Sequence, residues 1–220
     1  MREILLCFCA LTLFYSYLFS NYIAKVQSYH MHHDQTRAEL GKKSIESVKF
    51  IRCRSTKGDF DVLLNHKESP NGVTELVNMV RAGFFNSLAF FRVNHYIVQF
   101  GVREKTFKYR SDWERDLNQI PRDERQPWKR GVMAMIGGTQ MIIVKNPNQY
   151  MGLNNHDTVV GTISEDDMPV IDNLYAYNDV IDNPKGAHGP SQVEIYEKGW
   201  PYLNQNFPLV DQITGCDLVS

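Results

Sequence analysis

The side chains that could do chemistry in this chain are few, and most do not assemble into a reactive group. His30, His32 and His33 are close enough to share a metal ion. No second ligand cluster follows at a fixed spacing, so they read as part of a solvated segment, and no metal site is expected. There is no HExxH, no CxxC, no GxSxG and no Walker loop. Gly137-Gly138 is not a phosphate cradle, because neither a lysine nor a helix start follows it. The carboxylates of Asp59, Asp61, Asp166 and Asp167 fall where turns and helix caps are expected. His95 and His156 stand alone, and no general acid–base pair can be built around either. Of the four cysteines, Cys7 and Cys9 lie in an apolar run, suited to inert packing or palmitoylation. Cys53 and Cys216 lie at opposite ends of the remaining chain. No cofactor is implied by any of these.

The chain that must position such groups has 220 residues, 43% hydrophobic and 22% charged, with a formal net charge of -1. That suits one globular domain with an appendage. It supplies no field that would draw nucleic acid, and none is expected as a partner. Residues 4 to 24 (ILLCFCALTLFYSYLFSNYIA) contain no charge and are just long enough to cross a bilayer. A cleaved export signal would need small residues at its cleavage site. Ser20 after Leu18 and Ala24 after Tyr22 fit that poorly, so residues 1–24 are read as an uncleaved signal anchor forming a transmembrane helix. Residues 25–46 are polar and form a stem, and residues 47–220 form the domain.

Within that domain the pattern is one of short strands. Val48–Cys53 and Phe60–Leu64 flank Lys57-Gly58-Asp59 and read as a hairpin. Asn71–Gly83 carries Val73, Leu76, Val77 and Val80 at helical spacing, with Asn71 to cap its start and Gly83 to end it. Further strands are expected at Ala89–Val93, Tyr96–Gly101, Gly131–Ile136, Gln140–Lys145, Thr158–Ile163 and Asp211–Val219, and a second helix at Asp166–Ala176. Many short strands with two helices indicate an antiparallel barrel or sandwich. Residues 103–129 form a long polar connection of the kind that is usually functional or mobile.

Several stretches, taken in order, resemble the cyclophilin family of peptidyl-prolyl cis-trans isomerases. Thr56–Leu64 resembles its first hairpin, and Leu76–Asn86 its first helix and following turn. Phe90-Phe91-Arg92-Val93 and Tyr96-Ile97-Val98-Gln99-Phe100-Gly101 are similar to its F-H-R-V/I and F-M-x-Q-G-G segments. Arg130–Met135 and Thr139–Ile143 resemble two later strands, and Val159–Ile163 a third. Gly186–Pro190, Gly199, Tyr202-Leu203 and Phe207–Ile213 are similar to the C-terminal extension of a divergent branch. The resemblance covers residues 47 to 220.

It implies a mainly β fold, a closed eight-stranded antiparallel barrel capped by two helices. It implies an enzyme that assists protein folding by catalysing rotation about X-Pro peptide bonds in client proteins. By resemblance Arg92 is the catalytic guanidinium and Gln99 the residue that orients it. Tyr96, Ile97, Ile136, Gln140, Ile142 and Leu153 would bind the proline-containing segment. The first and last strands of such a barrel are neighbours, which would bring Cys53 and Cys216 together as a disulfide in an oxidising compartment. The expected setting is a single-pass membrane protein of the endoplasmic reticulum or Golgi, monomeric, with its domain in the lumen. The chain departs from the family at Phe91, in place of a histidine, and at Phe100, Ile136-Gly137, Gly152 and Asp157. These changes leave open an alternative, a catalytically weak or inactive barrel that binds peptides or proteins.

Overall fold

The computed structural model describes residues 44–109, 128–152, 157–177 and 189–220. The expected membrane helix at residues 4–24, most of the stem, the histidines at 30, 32 and 33, and most of the 103–129 connection lie outside the described residues. Among those described, no helix is long and apolar enough to cross a membrane. The chain divides into residues 1–46 and Ser47–Ser220; the account below concerns the second unit.

The first hairpin forms from β1 (Phe50–Ser55) and β2 (Gly58–Leu64). Their alternation is clean: Ile51 and Cys53 are buried on β1, Phe60, Val62 and Leu64 on β2. Helix α1 (Pro70–Arg81) buries Val73, Leu76, Val77 and Met79. It starts one residue earlier than Asn71, because Pro70, with its φ already fixed, occupies the first helical turn; Ser69 holds the N-cap position without a side-chain capping bond. Gly83, at φ +68°, lies just past its end.

The chain then lays down β3 (Leu88–Ala89), β4 (Arg92–Val93), β5 (Ile97–Phe100), β6 (Val132–Gly137), β7 (Gln140–Val144) and β8 (Thr158–Ile163). Helix α2 (Met168–Asp172) follows, then α3 (Gln192–Lys198), α4 (Trp200–Asn206) and β9 (Gln212–Val219). All paired strands are antiparallel, in one nine-stranded sheet of order β3-β9-β1-β2-β8-β6-β7-β5-β4.

Among the described residues the count is nine where eight strands were expected, and the reason is local. The segment expected as one strand, 89–93, splits. Its first part pairs with β9 and its second with β5. Only Phe90 and Phe91 separate the two terminal strands of the sheet. Two residues span about 10 Å at most when extended, so the sheet has to curl until its ends nearly meet. Where a closed barrel was expected, the described strands form a curled antiparallel half-barrel whose terminal strands are joined through the chain at this corner; among the described residues no ladder runs between β3 and β4.

Four helices are described where two were expected. The second expected helix is real but short, Met168–Asp172. Helices α3 and α4 come from the tail, where the sequence shows only the extension motifs. Ser191 caps α3 by accepting from the Glu194 amide, and Pro201 sits in the first turn of α4.

Candidate functional site

The site forms where β4, β5 and β7 lie side by side. Arg92 on β4 is directly opposite Gln99 on β5. In turn Gln99 is opposite Ile142 on β7. Asn94 closes the turn between β4 and β5: its side chain accepts from the amides of Tyr96 and Ile97, both at 2.9 Å. Cross-strand neighbours on one face are close enough for long side chains to meet, and here three polar ones do.

Arg92 Nη1 donates to Gln99 Oε1 at 3.2 Å. Gln99 Nε2 donates to Gln140 Oε1 at 2.8 Å. Gln140 Nε2 donates to Gln192 Oε1 at 2.9 Å. Gln99 is buried (5% exposed) while Arg92, Gln140 and Gln192 are half-buried, so the row passes through the interior at Gln99 and reaches the rim on either side.

Beside this row lies an apolar cluster. Ile97, Val132, Ala134, Ile142 and Val144 form it, and Ile136, Trp128, Met151 and Val159 pack against it. Ile97, Ile136 and Ile142 thus share one surface with Gln99 and Gln140 at its edge. Tyr96 is 48% exposed and packs edge-on against His95. Leu153 lies outside the described residues. Gly152 explains how Trp128 reaches the cluster: a Cβ there would stand 2.4 Å from the indole Cδ1, so only glycine leaves room for the ring at this point.

On the other side of Gln140 a cavity of about 710 Å³ opens, lined among others by Gly101, Arg103, Lys105, Tyr109, Gly138 and Tyr196. Gly101 is held at φ +108°, and a Cβ on it would fall 2.2 Å from the Thr139 carbonyl oxygen. β5 and the start of β7 therefore touch backbone to backbone at the point where Gln140 leaves the strand.

The departures Phe91 and Phe100 do not crowd this surface. Phe91 is buried with Ala89, Ile195 and Leu203, under α3 and α4. Phe100 is buried against Phe90, ring centroids 5.5 Å apart. Cys53 and Cys216 are register partners on β1 and β9 and form a disulfide. Among the described residues no group of three or more His, Cys, Asp or Glu is gathered to hold a metal ion.

Gln192 was not anticipated. The sequence signal that could have found its helix is Ser191-x-x-Glu194, a serine cap followed three residues later by an acid. Its contact with Gln140, 52 residues away, has no local signature.

A family model described as cyclophilin-type peptidyl-prolyl cis-trans isomerase/CLD matches residues 50–197. Among solved structures, a cyclophilin-type isomerase of Cryptosporidium parvum superposes with a TM-score of 0.50 at 13% identity, over 79% of this chain and 98% of that one. The structure of that protein in the presence of the dipeptide Ala-Pro gives 0.49 at 13% identity, over 78% and 99%. A cyclophilin from Hirschia baltica gives 0.48 at 14% identity, over 78% and 74%. At 13% identity the first of these likenesses is one of fold. No curated protein matches the chain.

Proposed function

The chain belongs to the cyclophilin-type peptidyl-prolyl cis-trans isomerase family, and on that premise we propose that it accelerates X-Pro rotation at Arg92. The barrier to rotation is about 18–20 kcal/mol, because the amide must give up its resonance. Uncatalysed exchange takes tens to hundreds of seconds. A guanidinium that donates to the prolyl nitrogen favours the pyramidal, non-conjugated nitrogen of the twisted bond. That interaction exists only as conjugation is lost, so it lowers the transition state more than either planar ground state. No covalent bond to the protein is needed and no proton changes hands.

The observation that carries this reading is the Arg92–Gln99 hydrogen bond at the edge of an apolar surface. Gln99 presents an oxygen to one arm of the guanidinium and limits its rotation. Arginine suits the role because it stays charged and its donors are rigidly spaced. Ile97, Ile142 and Ile136 offer the pyrrolidine ring an apolar seat, with Tyr96 and Leu153 as further contacts and Gln140 for the peptide backbone. The partners are proline-containing segments of client proteins.

Setting is a further part of the proposal. An uncharged run at residues 4–24 and a disulfide between Cys53 and Cys216 support a single-pass membrane protein of the endoplasmic reticulum or Golgi. Disulfides persist in oxidising compartments, so the domain is assigned to the lumen. It acts as a monomer.

The test is isomerisation of a panel of X-Pro peptides by the full chain beside its Arg92→Ala variant. Acceleration by the first and its loss in the second is expected. A folded wild-type protein that binds the peptides without turnover would replace the enzyme with the peptide-binding module.

A further inference from the structure

The three side-chain hydrogen bonds of the Arg92–Gln99–Gln140–Gln192 row all run in one direction. A guanidinium has donors and no acceptor, so Gln99 must turn its oxygen toward Arg92. Its NH₂ then faces Gln140, which must answer with its own oxygen. The NH₂ of Gln140 is left facing Gln192, whose oxygen accepts it. The terminal torsion of a glutamine amide is soft and two-fold, so each group could turn over by itself. Within the row, however, one reversal sets donor against donor. The donor-only guanidinium of Arg92 sets the polarity at one end, and at the other end Gln192 completes it by presenting its oxygen to Gln140.

Gln192 is itself firmly placed. It opens α3, whose preceding residue Ser191 donates its amide to the Tyr202 hydroxyl at 3.1 Å. Ile195 of the same helix packs on Phe91, the residue next to Arg92. The Tyr196 carbonyl accepts from the Lys105 amide at 2.8 Å, and Lys105 pairs with Glu197 at 2.5 Å. One tail helix thus grips the site at both ends of the row, under β4 and beyond β7.

We propose that Gln192 is a positioning residue for isomerisation. As the terminal acceptor it fixes the amide of Gln140, through it that of Gln99, and so the aim of the Arg92 guanidinium. This rests on the reading that Arg92 acts on the prolyl nitrogen.

Three variants of the full chain separate polarity from packing. Gln192→Glu keeps an acceptor, Gln192→Leu removes it, and Gln192→Lys offers only donors. The expected order of kcat is wild type and Glu within about twofold, Leu several-fold lower, and Lys about tenfold lower, a tenfold effect being about the worth of one hydrogen bond. KM should change little, and thermal midpoints should stay together because Gln192 is half-buried at the helix start. The side-chain amide resonances of Gln99, two hydrogen bonds away, should move in the Lys variant and stay in place in the Glu variant. Equal kcat in all three variants with unmoved Gln99 resonances would overturn the proposal. The isomerase reading is judged separately, from wild type and Arg92→Ala; were the wild type inactive, the Gln99 resonances alone would decide.

Discussion

Phe91 is the residue whose identity most clearly differs from the family, where a histidine precedes the arginine. Read from the sequence, the change weakens the site. In the structure it belongs to a different task, since the ring is 1% exposed and packs on Ile195 and Leu203. Phe91→His would put an imidazole into that apolar contact without a built partner. A loss of about 2–4 kcal/mol is expected, read from urea unfolding, with no gain in kcat. A stable variant with faster turnover would refute this account of Phe91. Gly152 is a second case. Its φ is +85°, and Trp128 occupies the space a Cβ would take. Gly152→Ala should cost about 1–3 kcal/mol and lift Trp128 off the cluster that includes Ile97 and Ile142. Since that surface is the proposed proline seat, KM for X-Pro peptides should rise while kcat holds. An unchanged KM would separate Trp128 from substrate binding.

At the scale of elements, legibility followed locality. The hairpin Phe50–Leu64 and helix Pro70–Arg81 declare themselves in neighbouring residues: alternation in one, four apolar positions at helical spacing in the other. The pair Arg92–Gln99 is legible only through the resemblance of its two segments to the family; the structure adds that both sit on strands joined by a short turn. Helices α3 and α4, at seven residues each, are too short to show a period, and Gly199 between them reads as a break. Their helical state depends on Phe91, Val102 and Val210 across the cluster, which no local pattern displays. For the same reason the division of 89–93 into two strands was hidden: it depends on two different partners, β9 and β5. The contact between β5 and β7 yields a prediction of its own. Gly101→Ala would drive a methyl into the Thr139 carbonyl at 2.2 Å and the Gln140 Cα at 2.7 Å. Neither is a side chain that can swing away, so β7 must shift where it carries Gln140. Turnover should fall by about tenfold or more, with a stability loss of about 2–4 kcal/mol. Near-normal kcat in a folded Gly101→Ala protein would show that the exact setting of Gln140 does not matter.

For the whole molecule the decisive seam is between β1 and β9, the first and last strands of the domain. Their ladder runs from Phe50↔Val219 to Ser55↔Ile213, and Cys53–Cys216 lies within it. The two cysteines are 163 residues apart in sequence. Pairing strands that distant requires closing a very long loop, and the disulfide removes most of that entropy from the unfolded chain. β9 also carries β3, which leads through Phe90 and Phe91 to β4 and Arg92. The seam therefore holds shut the corner on which the site is built. Even so, β4, β5 and β7 are not hydrogen-bonded to β1 or β9, so the disulfide contributes to persistence of the fold more than to the chemistry. Replacing both cysteines by serine should lower the unfolding free energy by about 2–5 kcal/mol, measured by denaturant titration. Below its own melting temperature the variant should keep a kcat close to wild type. A large kcat loss in the folded variant would instead tie the seam to the aim of Arg92. Non-reducing mass mapping of freshly isolated protein completes the test. A linked pair agrees with an oxidising compartment, whereas two free thiols would remove both the staple and the argument for a lumenal domain.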